Sequence, residues 1–586
     1  MRRWLYLSIL SLTVVGALLF ATQFSFSSKA KEARKKVSRG VSDEPLSLRV
    51  VPWGPTQDAL DAASNAMMRS AAIQKYVRGT SYRLLSFGSI ATDDKGNARA
   101  IPPTRYRGII YDYTNSRTII GEGSLSKPGV VDVTVSNEQP LPSNEEVEAA
   151  AAILLGDPEF GPSLRDGSLV TYEPMPPLLF PQNRRGQTER TLTVGVKSKS
   201  DSHYKNEVVG VNMVRGTIMR FDGGAPPTSL ARPEACGSAS SGQSTTSNGT
   251  AGTFQVNVLQ GQTQLWSFLA IRPSASSGNS SERSGIELQN VSYLGKSVLK
   301  RAHVPILNVK YDGDACGPYR DWQYQEGMFQ TDAVGFNDIG AGFRITKSPA
   351  TTELETGNDT GNFKGVAVYV QGTETVLVTE LNAGWYRYIQ EWRLDADGTI
   401  RPRYGFGATT NSCVCSVHHH HVYWRFDFDI DTPDKNAVFP VVEGSFWQPP
   451  PIATEGQFYR NQGTQSWLVK NLATGDGYKI VPGNDGTAFN DPFAFGKGDV
   501  WVLQYHSSGG SPTELDDPNT NASANIDAWV NSESVNNTDI VVWYGGHFDH
   551  TDGTGFANMV DPVDTFNGNI LSGGHVIGPD LVPASW

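Results

Sequence analysis

The chain has 586 residues, 38% of them hydrophobic and 19% charged, which is enough apolar sequence for about three or four folded units and too much for a disordered chain. A net charge of −11 without a dense basic stripe argues against a nucleic-acid partner. Only Cys236, Cys316, Cys413 and Cys415 occur, so a disulfide scaffold is excluded and at most two bridges can form.

In chain order, Met1–Arg3 is basic, and Trp4 to Ser28 carries no charge around the apolar centre LYLSILSLTVVGALLF. Residues 1–40 therefore read as a signal peptide or an N-terminal membrane anchor, and the folded part as exported, secreted or held on the extracytoplasmic side of a membrane. The cations of KAKEARKK that follow oppose a simple exported topology. Export suits disulfides and makes the sequons at Asn248, Asn279, Asn290, Asn358, Asn521 and Asn536 usable in a eukaryotic host.

Residues 57–135 combine the helical spacing of DALDAASNAMMRSAAIQKYV with alternating strands such as YRGIIYDYT, and predict one small α/β domain. Residues 136–225 repeat the scheme. Their helix is announced by Pro142-Ser143-Asn144 with Glu145 and Glu146 in the first turn, and TLTVGVKS, EVVGVNMV and GTIMRFDG supply strands. A Gly/Ser/Pro-rich linker follows at 226–250. From 251 to 586 short strands and turns dominate, as 60 glycines, 34 prolines and 10% aromatics lead one to expect. The fold class expected is α+β, two small α/β domains followed by a large antiparallel β-sandwich.

Eight of the ten histidines lie between 418 and 575. His418 to His421 run into YWRFDFDID, an alternating aromatic stretch that should be a strand. Residues two apart on a strand share a face, so either His418 and His420 or His419 and His421 can chelate one metal. DIVVWYGGHFDH brings His547 and His550 on a second strand. Three imidazoles with open positions suit copper or zinc. A copper-thiolate site at Cys413-x-Cys415 is the rival reading.

Over residues 57–586 the sequence resembles the copper-dependent primary amine oxidases, which make topaquinone from one of their own tyrosines. Their copper strand reads H-x-H, with Arg five and Asp seven residues beyond the second His. His420, Arg425 and Asp427 fit, which selects His418 and His420. The family's third ligand lies seven residues after the Trp of a D-[IL]-V-x-W strand, and Asp539 to Trp543 places it at His550. SWLVKN with GYKI, DVWVLQY and the tail PVDT occur in the family's order. The resemblance also implies a peripheral calcium-type ion held by Asp427, the Phe428 carbonyl, Asp429, Asp539 and the Ile540 carbonyl.

In the family the modified tyrosine sits in N-Y-[DE], eleven residues before the Asp of a DGTI-like hairpin. Counting back from Asp397 gives Tyr386, although its neighbours here are Trp385 and Arg387. Arg387 would favour an anionic quinone. Tyr311-Asp312-Gly313-Asp314 matches the motif whose tyrosine hydrogen-bonds the quinone. The family's catalytic Asp, counted from Trp322, falls on Gly327, so Glu326 is the first candidate for the base and Asp332 the second.

The resemblance thus implies an exported homodimeric copper/quinone oxidase. It would convert a primary amine, water and dioxygen to aldehyde, ammonia and hydrogen peroxide. The alternative is a divergent copper-binding relative without amine oxidase turnover, the altered neighbours of Tyr386 being its sequence basis.

Overall fold

The computed structural model describes residues 44–586 except 91–94, 96–99, 173–177, 180, 183–185, 187, 199–206, 221–236, 241–251, 274–283, 312–317, 322, 324, 333–337, 341, 410–413, 415–416, 447, 461–464, 484, 486–495, 497, 507–525 and 551–574. For Asp549 and His550 the backbone alone is described. The N-terminal signal or anchor and all four cysteines lie outside the described residues. Among the described residues no helix is long and apolar enough to cross a membrane.

Helices Gln57–Arg69 and Ala71–Val77 lie on a four-stranded antiparallel sheet built from 82–90, 105–112, 117–124 and 127–136. The first helix starts because the Thr56 hydroxyl accepts from Ala59 N–H. It buries Leu60, Ala63 and Met67 at helical spacing. The second unit starts with helix Asn144–Leu155, capped by Ser143. Its Glu146, in the first turn, is fully buried and forms an ion pair at 2.6 Å with Arg190, directly before strand 191–198 of the adjoining sheet. Strands 169–172, 178–179, 191–198, 207–212 and 217–219 make that sheet.

Most of the rest forms two large, mainly antiparallel sheets packed face to face. One runs Leu46–Pro52, Thr253–Gln260, Thr263–Ile271, Glu287–Tyr293, Lys296–Tyr311, His418–Phe428, Ile540–His550, Val500–Gln504 and Gly456–Phe458. The other carries Val366–Gln371, Glu374–Ala383, Tyr386–Asp395 and Ile400–Ala408 at its centre. Side chains of both sheets meet in one core, for example Trp266, Trp424 and Val542 from the first and Tyr388, Trp392 and Phe406 from the second. Strand 46–52, which precedes the expected first domain, pairs along its whole length with 253–260 and belongs to the sandwich.

Two local features set the register of the interior. The chain reverses through Gly384-Trp385, with Gly384 at φ +64° and Ala383 paired with Tyr386. A two-residue hairpin loop of this kind wants positive φ at its first residue, which glycine adopts without strain. Tyr386 is thereby the first residue of its strand. On the other sheet, His418 opens its strand between Tyr311 on one side and His550 on the other.

Candidate active site

Along His418–Phe428 the strand period of two puts His418 and His420 on the face of Val422, Trp424, Phe426 and Phe428, which lie in the sandwich core. Both histidines are fully buried, and their ring centroids are 4.9 Å apart. His418 pairs with His550 and His420 with Phe548. Residues directly opposite in an antiparallel ladder share a face, so position 550 belongs to the face of His418 and His420. His419 and His421 belong to the reverse face, where the His421 ring lies 5.3 Å from His547.

Tyr386 approaches from the opposite sheet. Its ring centroid lies 5.9 Å from His418 and 5.1 Å from His420. Tyr311, the ladder partner of His418, stacks on that imidazole at 5.1 Å. Its hydroxyl oxygen is 2.5 Å from that of Tyr386, and the Trp385 indole N–H donates to the same Tyr311 oxygen at 3.1 Å. Burial, with Tyr386 beside it, pushes the Tyr311 phenol well above its ordinary pKa. Tyr311 is therefore a neutral partner that fixes where the Tyr386 oxygen points. Trp385 is buried, with its ring 5.6 Å from Tyr172 and 6.1 Å from Tyr386. Arg387 is on the other face of its strand. Its guanidinium donates to Asp359 at 2.6 and 3.1 Å and to the side-chain Oδ1 of Asn382 at 2.7 Å. Its charge is answered there, and the expected support of an anion on Tyr386 is replaced by a structural ion pair.

The two carboxylates singled out in the sequence are both engaged. Glu326 and Arg272 form a fully buried two-pronged ion pair, with Nε to Oε1 at 2.8 Å and Nη2 bound to Oε2. Asp332 accepts the amides of Lys347 at 2.6 Å and Ser348 at 3.0 Å, which holds its carboxyl below the usual range. Removing one member of a buried ion pair strands the other and costs about 3–5 kcal/mol. Glu326→Gln should therefore show a large drop in denaturation midpoint, measurable by calorimetry whatever its effect on turnover.

The carboxylate that enters the tyrosine cluster is Asp321. Tyr388, two residues after Tyr386 and stacked on it at 5.2 Å, donates its hydroxyl proton to Asp321 Oδ2. Desolvation by burial pushes the Asp321 carboxyl up to about 7, against the opposing effect of the Tyr388 hydrogen bond. Sequence reasoning missed it because the count from Trp322 ran forward, past the acid immediately before that tryptophan. Tyr388 was readable: the strand period places it on the face of Tyr386.

Asp427, Asp429 and Asp539 do converge, close enough together to hold a cation. The Lys95 ammonium stands among them, at 2.5, 3.5 and 2.9 Å from their Oδ1 atoms.

The donor set suits copper: two buried imidazoles on one face, a third histidine at the facing register position, and a tyrosine ring within 6 Å of both described rings. No family model matches the chain, and no curated protein matches it in sequence. In fold it is similar to a copper-containing benzylamine oxidase from Hansenula polymorpha, with a TM-score of 0.56 and 12% identity over 89% of this chain and 96% of that one. A lysyl oxidase from Pichia pastoris gives a TM-score of 0.53 and 11% identity over 93% and 91%. An amine oxidase from Aspergillus nidulans gives 0.51 and 13% over 91% and 88%. At such identities the likeness is one of fold, and it spans both small units and the sandwich.

Proposed function

We propose that the chain is an exported, homodimeric copper oxidase of primary amines, with Tyr386 as the precursor of its quinone and His418, His420 and His550 as copper ligands. The observation that carries this reading is the placement of the Tyr386 ring against His418 and His420 with its oxygen held by Tyr311. Copper and the quinone, when bound, would supply the redox chemistry that takes two electrons from the amine and passes them to dioxygen.

The chain's own groups have distinct tasks. Tyr311, oriented by the Trp385 indole, holds the oxygen of residue 386 in one direction. Tyr388 lies flat on the same ring. Asp321 is the proton acceptor for the substrate carbon in this reading, in place of Glu326 and Asp332. It is the carboxylate joined to the ring stack, and a base with a pKa near neutrality is ionised often enough to act while still binding the proton it takes. The fold and the site geometry support an oxidase.

Purified protein loaded with copper in air should release hydrogen peroxide and ammonia in equal amounts from at least one member of a panel of primary amines. Turnover should rise with pH through about 7 as the Asp321 carboxyl loses its proton. Asp321→Asn should lower the rate of proton removal about 100- to 10,000-fold and abolish that rising limb, without changing copper content. The same raised pKa has a stability consequence of definite sign: the native state holds this proton more tightly than the unfolded chain does. The stability it contributes is thus full in acid and declines as pH rises from about 4 to about 7.

A second reading, copper binding without amine turnover, rests on the buried Trp385 ring beside Tyr386, which narrows access to the ring. Peroxide release in the amine panel separates the two.

A further inference from the structure

Asp427 and Asp429 lie on or just beyond the histidine strand, and Asp539 directly precedes the strand that pairs with it. Lys95 comes from a different unit, the connection between strands 82–90 and 105–112 of the first small sheet. Its Nζ lies within 3.5 Å of an oxygen from each of the three carboxylates, and 3.4 Å from the centre of the Tyr505 ring. We propose that Lys95 is the resident cation of this cluster, standing where a divalent ion would otherwise bind and pinning the first small unit to the two strands that carry the histidines.

Charge and coordination both favour the ammonium. Three carboxylates face two cations, Lys95 at the centre and the Arg425 guanidinium 3.9 Å from Asp427. Two of the three negative charges are already answered, which leaves little net charge to attract a divalent ion. Calcium takes six to eight oxygens at about 2.3–2.6 Å and fills its shell with water. Here the open side is covered by an aromatic face, which suits an ammonium through the cation–π attraction and offers calcium no oxygen donor along that direction. The inference is independent of the oxidase reading and holds whether or not the chain turns over amines.

The test is calcium titration by calorimetry on copper-loaded protein stripped of other divalent ions, comparing wild type, Asp427→Asn, Lys95→Met and Lys95→Met/Asp427→Asn. A second cluster, Glu455, His506 and Glu533, is also close enough to hold a cation. It is built from other residues, so only binding that Asp427→Asn removes belongs to the Lys95 site. Wild type should show no calcium binding sensitive to Asp427→Asn. Lys95→Met should gain about one calcium per chain, bound at least about 100-fold more tightly than wild type binds it there, and the double variant should lose it. The Lys95→Met denaturation midpoint should fall in chelator and recover with calcium. An Asp427-dependent calcium ion in wild type, or no gained ion in folded Lys95→Met, overturns the proposal. The wild-type comparison decides by itself if Lys95→Met does not fold.

Discussion

Tyr386→Phe, loaded with copper in air, should bind as much copper as wild type, stay colourless and release no peroxide from any amine. The substitution keeps the ring, so the stacking on Tyr388 at 5.2 Å and the packing against His418 and His420 are retained. What is lost is the oxygen 2.5 Å from Tyr311. Tyr311 keeps the Trp385 indole as donor at 3.1 Å, so the stability cost should be near that of one ordinary hydrogen bond, about 1 kcal/mol. The expected contrast is a loss of at least about 1,000-fold in turnover with a shift of only a few degrees in denaturation midpoint. Equal peroxide release from Tyr386→Phe would remove Tyr386 from the chemistry.

His420→Ala should weaken copper binding at least about 100-fold, since even residues that merely support metal ligands cost 10- to 100-fold when removed. His418→Ala should do the same. The control is His421→Ala, one residue along the same strand but on the reverse face beside His547. It should leave copper stoichiometry unchanged. Metal analysis after gel filtration reads the difference. The opposite pattern, with His421 needed and His420 dispensable, would move the metal to the other side of the sheet.

The period-two alternation of HHHHVYWRFDFDID was enough to predict a strand, but both histidine pairs satisfied it equally. The structure separates them because Val422, Trp424 and Phe426 share a face with His418 and His420 in the core between the sheets. Tyr386 could be counted to because the hairpin at Asp397 lies on the same two strands, a local relation that sequence retains. Its bond to Tyr311 joins residues 75 positions apart across two sheets, a contact no local pattern encodes. Glu326 looked like a base because it is a carboxylate near the expected position. Its partner Arg272 is 54 residues away, and only the fold shows that pair. Lys95 was invisible for the same reason: the acids it meets are more than 300 residues distant, on another unit. Strand 46–52 was read as part of neither domain because its partner strand begins at 253.

As a quinone precursor, residue 386 should carry a reactive carbonyl once copper and oxygen have acted on it. The direct measurement is phenylhydrazine labelling of protein loaded with copper in air, followed by tryptic mass mapping of the peptide Gly365–Arg387. A coloured adduct should appear on Tyr386 and form only after copper and oxygen have been supplied. A copper-loaded protein whose Gly365–Arg387 peptide carries unmodified tyrosine at 386 would remove Tyr386 as the cofactor's source.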